Sequence, residues 1–412
     1  MGFVRKTDTG RWKAFWRDPS GAQRSKTFIT KKDANVFLAE TETAKTRGLY
    51  VSPHAGRTTF GEHAADWMAT WNLGATTTAR DTSVMRTHVL PQWQTWQLGK
   101  IDHLSVQKWI TSVGQRRGPH TVSRCYLLLG GVLRSAVRNR LIAVNPAEGV
   151  RLPQVRRRDT DDRIISREDF QTLLLPAVPA RHRALVATAG GTGLRWGEVA
   201  GLRRDALDLD APTLSVLRTV IEVSGRTSFK PFPKSSAGRR TVPLPGWLVP
   251  MIRHHLDTWP TDRTDPVFAN EVNGPHRRTV FRSRHWRPAL VRAGLLGRIT
   301  EKDDGRFVGE WTDDLGEEAS EEFRTYAAAV SHVARNQAGG LRFHDLRHSY
   351  ATWLVDDGVP PNMVQRVMGH ERSSTTMDLY TRRTDNSDRI LRALDDQGPD
   401  SDPTDEDEGE SS

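Results

Sequence analysis

Cysteine is all but missing from this chain of 412 residues: Cys125 stands alone, which excludes a disulfide framework and a thiolate metal cluster. No run of about 18 or more apolar residues occurs, so no transmembrane helix is expected. The opening Met1-Gly2-Phe3-Val4-Arg5-Lys6 lacks the apolar stretch of a secretory signal. The glycines of Gly191-Thr192-Gly193 suggest a phosphate loop only superficially, because the Lys-Ser/Thr ending of such a loop is absent. His-Glu-x-x-His is missing too, and with it a common zinc motif. These absences predict a soluble intracellular protein with no metal and no bound cofactor.

Positive charge, by contrast, is in excess. Lys and Arg number 60 against 50 Asp and Glu, a net charge of +10. Residues 395–412 hold nine acids and no base, so residues 1–394 carry +19. A body that basic points to a polyanionic partner, since neutralising phosphates releases counterions and gives affinity without reading sequence. Nucleic acid therefore ranks above a charged surface that serves solubility alone.

The pattern along the chain predicts several domains, mainly α with small β-sheets. Residues 1–52 read as a small basic unit, with eleven Lys and Arg against five acids. Trp12–Arg17 and Arg24–Ile29 are its strands, Asp18-Pro19-Ser20-Gly21 the turn, and Thr30 with Asp33 the start of a helix. Residues 58–152 read as a helical domain. It starts at the capping box Thr59-Phe60-Gly61-Glu62, and a later helix with Leu129, Val132, Leu133, Ala136 and Val137 on one stripe stops before Asn145-Pro146. A charged linker follows at 151–163. The largest domain, 164–394, opens at the cap Ser166, carries a strand at Thr213–Val223 before the hairpin signal Ser224-Gly225, and has another at Arg240–Leu244. The remainder reads as mainly helical, with a polar inserted loop at about 300–340. Residues 395–412 are expected to be disordered. No internal repeat is visible.

Four segments of the large domain carry unusual polar residues. Gly191–Glu198 delivers Arg195 at a tight turn. Lys230–Arg240, between strand-like segments, places Lys234 on a hairpin tip. Phe343-His344-Asp345-Leu346-Arg347-His348 sets His344 and Arg347 three apart on one helix face. Met368-Gly369-His370-Glu371-Arg372 is followed, ten residues after His370, by Tyr380. Each segment alone has an ordinary structural explanation.

In this order, however, Arg195, Lys234, His344, Arg347, His370 and Tyr380 fill every position of the Arg…Lys…His-x-x-Arg…His…Tyr signature, and the chain resembles the tyrosine recombinase (phage integrase) family. The resemblance implies an N-terminal ββ(β)α arm-binding unit, a helical core-binding (SAM-like) domain and an α+β catalytic domain. It implies a site-specific recombinase that integrates or excises a mobile element through a 3′-phosphotyrosyl intermediate, without metal or ATP. In that chemistry Tyr380 is the nucleophile, Arg195 and Arg347 clamp the phosphate and His370 donates to it. His344 takes or orients the tyrosine proton, and Lys234 protonates the leaving oxygen. The partners implied are double-stranded DNA at core and arm sites and three further copies in a tetramer. An excisionase or a host DNA-bending protein is an accessory the resemblance admits, and the bacterial cytoplasm is the place of action. A Xer-like dimer resolvase and a non-catalytic DNA-binding regulator on the same fold are the alternatives.

Overall fold

The computed structural model describes residues 2–19, 21–48, 50–51, 55–154, 163–230, 239–370, 373–374 and 376–377. The chain falls into two compact units, Met1–Arg158 and Asp159–Ser412. Helices dominate, with four small antiparallel sheets among the described residues.

The first unit opens with a three-stranded meander, β1 (Phe3–Lys6), β2 (Trp12–Arg17) and β3 (Gln23–Phe28), backed by α1 (Lys31–Thr46). The Thr30 hydroxyl caps α1, accepting from the Asp33 N–H at 3.1 Å. Period-two alternation sorts the strand side chains. Ala14 and Trp16 are buried against the helix, where Trp16 and Phe28 meet the ring of Phe37. Arg5, Lys13, Phe15 and Arg17 alternate with them, and Phe3 stacks on Phe15 at 4.8 Å. None of the three strands contains a carboxylate.

Five helices follow: α2 (Phe60–Ala69), α3 (Ala75–Val84), α4 (Leu90–Trp93), α5 (His103–Arg116) and α6 (Pro119–Arg138). The expected capping box of Thr59 and Glu62 opens α2. The α6 stripe of Val122, Leu129, Val132, Leu133 and Ala136 is wholly buried with Phe60 and Trp93 in one core. Each large side chain so buried contributes about 1.5–3 kcal/mol. Cys125 sits in that core as a small apolar residue.

The second unit begins with α7 (Arg167–Asp169), α8 (Leu175–Ala177), α9 (Ala180–Thr192) and α10 (Trp196–Val199). Five strands follow: β4 (Leu207–Asp208), β5 (Thr213–Ser215), β6 (Thr219–Val223), β7 (Arg226–Lys230) and β8 (Thr241–Pro243). Then come α11 (Leu248–Thr258), α12 (Arg278–Phe281) and α13 (Arg287–Arg292). Last are β9 (Arg298–Glu301), β10 (Phe307–Thr312), β11 (Glu318–Phe323), α14 (Tyr326–Asn336), α15 (Asp345–Asp356) and α16 (Pro361–Met368). Three helical runs widen into a π turn, at 85–89, 170–174 and 282–286, and the helix that continues each has proline as its second residue: Pro91, Pro176 and Pro288. Proline lacks an N–H and crowds the carbonyl four residues back; an extra residue in the preceding turn relieves both.

The structure corrects two expectations. Thr213–Val223 is two strands, because β5 pairs with β4 and β8 while β6 pairs with β7 across Ser224-Gly225. Ser224 and Gly225 have φ of 49° and 76°, the left-handed pair that tight hairpins require. The strands on either side of 231–238, β7 and β8, belong to different sheets; the hairpin tip expected at Lys234 lies outside the described residues. Finally, 300–340 is not a loop in a helical domain. β9, β10 and β11 form a meander on which α14 lies, with Val333 over Gly309 and His332 stacked on Trp311 and Phe323 at 4.6 and 5.0 Å. This strand–strand–strand–helix order repeats that of β1–β3 and α1. The charges are opposite: β9–β11 hold five glutamates. The acidic tail lies outside the described residues.

Behind α9, His182, His276 and His285 pack ring to ring beside Phe281, with 4.0 Å between the centroids of His182 and His285. Burial, then the neighbouring rings, push His182 down to about 3; burial and His285 push His276 down to about 4. From the ordinary value of 6.5 down to those values the unfolded chain binds the protons that the folded chain refuses, so stability falls as pH falls through that window. His182→Leu is expected to flatten this acid loss when Tm is followed against pH, and an unchanged slope would contradict a neutral cluster.

Candidate active site

α16 ends at Met368, and Gly369 closes it in the left-handed conformation, φ 60° and ψ 48°. Carbonyls at a helix C-terminus lack helical partners and carry partial negative charge. Here three consecutive ones each receive a guanidinium. Arg240 Nε donates to the Val367 carbonyl at 2.6 Å, Arg347 Nη2 donates to that of Met368, and Arg195 Nη2 to that of Gly369 at 3.1 Å. One helix end thus gathers arginines from three remote segments.

Local structure explains each delivery. α9 stops at Gly193, whose φ is 63° and where a Cβ would lie 2.4 Å from the Tyr350 ring. The chain turns at once into α10, with Arg195 at its N-cap. Arg347 is inside the first turn of α15, only 4% exposed, and its Nη1 donates to the Gly193 carbonyl at 2.6 Å. Arg240 stands just before β8.

Glu198 binds two of the three. Its Oε1 accepts from Arg195 Nη1 at 3.0 Å and its Oε2 from the Arg195 backbone N–H at 2.9 Å. Arg240 reaches the same two oxygens at 3.2 and 2.9 Å. Burial alone would raise the Glu198 pKa; the hydrogen bonds and charge of Arg240, then Arg195, hold it below the ordinary carboxylate value. Among the described residues one carboxylate meets three guanidiniums, so these four side chains are together cationic. Burial, and next the charge of Arg195, push Arg347 down to about 9, still protonated at neutral pH. Such an environment suits a planar or tetrahedral anion gripped by paired donors.

Two histidines border the cage. His344 occupies the N-cap of α15, rather than sharing a helical face with Arg347, and its ring stands edge-on to His348 at 5.1 Å. The surrounding protein, then His348 and Arg347, push its pKa to about 4, although part of its surface stays open. His370 follows Gly369, with Nδ1 2.9 Å from the Thr376 hydroxyl; burial, then Arg347 and Arg195, also push it to about 4. Both rings are therefore neutral at neutral pH.

Of the six expected site residues, the structure brings Arg195, His344, Arg347 and His370 together. Lys234 and Tyr380 lie outside the described residues. Glu198 and Arg240 were not anticipated. Glu198, three residues after the N-cap Arg195, has capping-box spacing that could have marked it; nothing in the sequence separates Arg240 from its neighbour Arg239. Because Glu198 and Arg240 are 6% and 4% exposed at their side chains, removing Glu198 breaks a buried ion pair. Glu198→Ala is expected to cost about 3–5 kcal/mol in urea unfolding; a loss below about 1 kcal/mol, the range of exposed pairs, would contradict the buried-pair reading.

Comparison with known proteins follows the same lines. Residues 317–387 match the phage integrase family, and residues 1–48 match the phage integrase N-terminal domain. The phiRv2 prophage integrase of Mycobacterium tuberculosis H37Rv is 27% identical over 406 residues, covering 96% of this chain and 94% of its own length. A XerC-like tyrosine recombinase of Caldanaerobacter subterraneus is 27% identical over 301 residues, 68% of this chain and 67% of its own. Among solved structures, the Tn1549 transposon integrase in complex with transposon right end DNA covers 82% of this chain and 99% of its own, at a TM-score of 0.61 and 16% identity. A lambda integrase dimer bound to a COC′ core site covers 92% and 94%, at a TM-score of 0.52 and 14% identity. The two structural likenesses bear on the fold.

Proposed function

Since this chain is a phage integrase family protein, a site-specific recombinase of the tyrosine type, we propose that its arginine cage holds the scissile phosphate of a DNA strand and that Tyr380 attacks it. The observation that carries this reading is the convergence of Arg195, Arg240 and Arg347 on one helix end, with Glu198 their one carboxylate partner among the described residues. Attack at phosphorus builds charge on the nonbridging oxygens, and fixed guanidinium donors stabilise that charge without reorganising. Arg195 and Arg347 serve as clamps. His370 donates a further hydrogen bond from Nε2–H, in the tautomer whose Nδ1 accepts from the Thr376 hydroxyl.

In the forward step the Tyr380 oxygen bonds to phosphorus as the bond to the 5′ oxygen breaks. The phenol's ordinary pKa is near 10, so it must lose its proton during attack. His344, neutral and at the cage edge, accepts or orients that proton. Lys234 protonates the departing 5′ oxygen. The 3′-phosphotyrosyl bond conserves the energy of the broken linkage, so a second 5′ hydroxyl can reverse the step with no external energy source. The described tyrosine beside the cage makes a useful contrast: Tyr350 is buried, and burial pushes its pKa up to about 12, the wrong direction for a nucleophile.

The rest of the chain fits this work. The face of β1–β3 that bears Arg5, Lys13, Arg17 and the stacked Phe3 and Phe15 contacts arm sites, as a β-sheet lies in a groove. The helices of 58–152, with the catalytic domain 164–394, grip the core site chiefly through phosphates. Four copies act together, with Ile390, Leu391 and Leu394 packing on a neighbouring copy, and an excisionase or DNA-bending protein sets direction. No described helix is long and apolar enough to cross a membrane, and the DNA of the bacterial cytoplasm is the site of action.

Incubated with a nicked duplex carrying its attachment site, the wild-type chain is expected to form an adduct that survives denaturing electrophoresis, and Tyr380→Phe is expected to form none. Arg195→Ala should slow adduct formation by about 10²–10³-fold, the effect of removing one preorganised donor. Adduct formation by Tyr380→Phe at the wild-type rate would overturn the assignment of the nucleophile.

A further inference from the structure

A second convergence of arginines lies away from the cage. A cleft of ≈ 630 Å³ separates the π turn before α13 from α14, the helix of the inserted acidic unit. Arg282 and Arg284 line one wall, Ser331 and Arg335 the other, and Arg287 adjoins them. Arg287 is 8% exposed and spends its donors on the carbonyls of Ala334, Gln337 and Gly339, and among the described residues no carboxylate lies within ion-pair distance of it. Arg282, Arg284 and Arg335 are exposed, and among the described residues none of them lies within ion-pair distance of an acid. Asp314, from the turn between β10 and β11, is the sole carboxylate on the lining.

Composition sharpens the point. Residues 298–336 hold ten acids and five bases, yet the one base on α14, Arg335, faces this cleft. Gathering like charges is unfavourable unless an anion occupies the space between them. Arg282 already depresses the proton affinity of Arg287, behind burial itself, while Asp314 offsets only part of that. Paired guanidinium forks and a hydroxyl make a lining suited to phosphate oxygens.

We propose that this cleft, closed on one side by α14 of the inserted unit, binds a backbone phosphate of duplex DNA apart from the scissile one. The proposal rests on the reading of the chain as a DNA recombinase and adds to it a role for the insertion: an acidic unit that touches DNA through a single basic edge. Glutamates on β9–β11 would repel the DNA backbone, so contact through the cleft alone would hold the unit to one orientation on the duplex.

Binding of the full-length chain to a short random-sequence duplex, followed across a salt series, tests this. Each phosphate contact contributes about 0.9 to the steepness of log K against log salt. The double variant R284Q/R335Q is expected to be shallower than wild type by about 0.9, one phosphate lost. R298Q/R306Q removes two charges from the same inserted unit at positions paired with Glu310 and Glu322, off the cleft, and is expected to keep the wild-type slope. All four residues are exposed, and far-UV circular dichroism checks that both variants fold. An unchanged slope in R284Q/R335Q, or an equal shift in the two variants, overturns the proposal while leaving the recombinase reading intact. A wild-type chain that binds no DNA would bring down that reading and this proposal with it.

Discussion

The active region depends on the buried pairing of Glu198 with Arg240. Taking both charges out of water is costly, and the pair holds because four hydrogen bonds to Glu198 and a helix-end carbonyl under Arg240 satisfy them together. That pairing joins three pieces of chain that are far apart in sequence: the turn after α9, the segment before β8 and the C-terminus of α16. Arg195 is held between Glu198 and the Gly369 carbonyl, and Arg347 is fixed between the Gly193 and Met368 carbonyls. The positions of the clamps are thus set before any ligand arrives, which is where preorganised electrostatics gains over water.

The same arrangement sets protonation. Burial, and behind it the neighbouring His348 and guanidinium charges, keeps the His344 and His370 rings neutral, so they can exchange protons at neutral pH without first losing one. It also means the cage is most favourable when occupied: an anion relieves the repulsion between Arg195 and Arg347 that an empty site retains. Substrate affinity and transition-state charge stabilisation come from one source. The inserted unit has the opposite charge balance, with an acidic sheet in a basic chain and the one arginine of α14 turned to a single cleft.

Much of this was legible in the sequence where short-range chemistry decides structure. The caps at Thr30, Thr59 and Ser166 form as their spacing predicts, because one hydroxyl satisfies an orphan N–H regardless of what packs later. The Ser224-Gly225 hairpin follows from the left-handed turn it needs. Pairing between strands was not legible. β5 and β6 are contiguous and β-branched, and only their partners, β8 and β7, separate them into two sheets. The meander at 298–323 was read as loop because its strands are rich in glutamate and short of apolar runs; its order comes from Gly309, Trp311 and Phe323 under α14, contacts that no local pattern announces. The motif arginines stood out through their flanking residues, whereas Arg240 is one of two adjacent arginines and becomes distinct only when Glu198 and Val367 close on it.

The central claim is that Arg195 and Arg347 act by neutralising charge on a phosphate. Cleavage of a strand whose target phosphodiester is replaced by an uncharged methylphosphonate addresses it directly. The account predicts that Arg347→Ala, crippled on the natural diester, recovers much of its strand cleavage on the methylphosphonate, because the charge it was needed to offset is gone. Equal impairment of Arg347→Ala on both substrates, relative to wild type, would contradict the account.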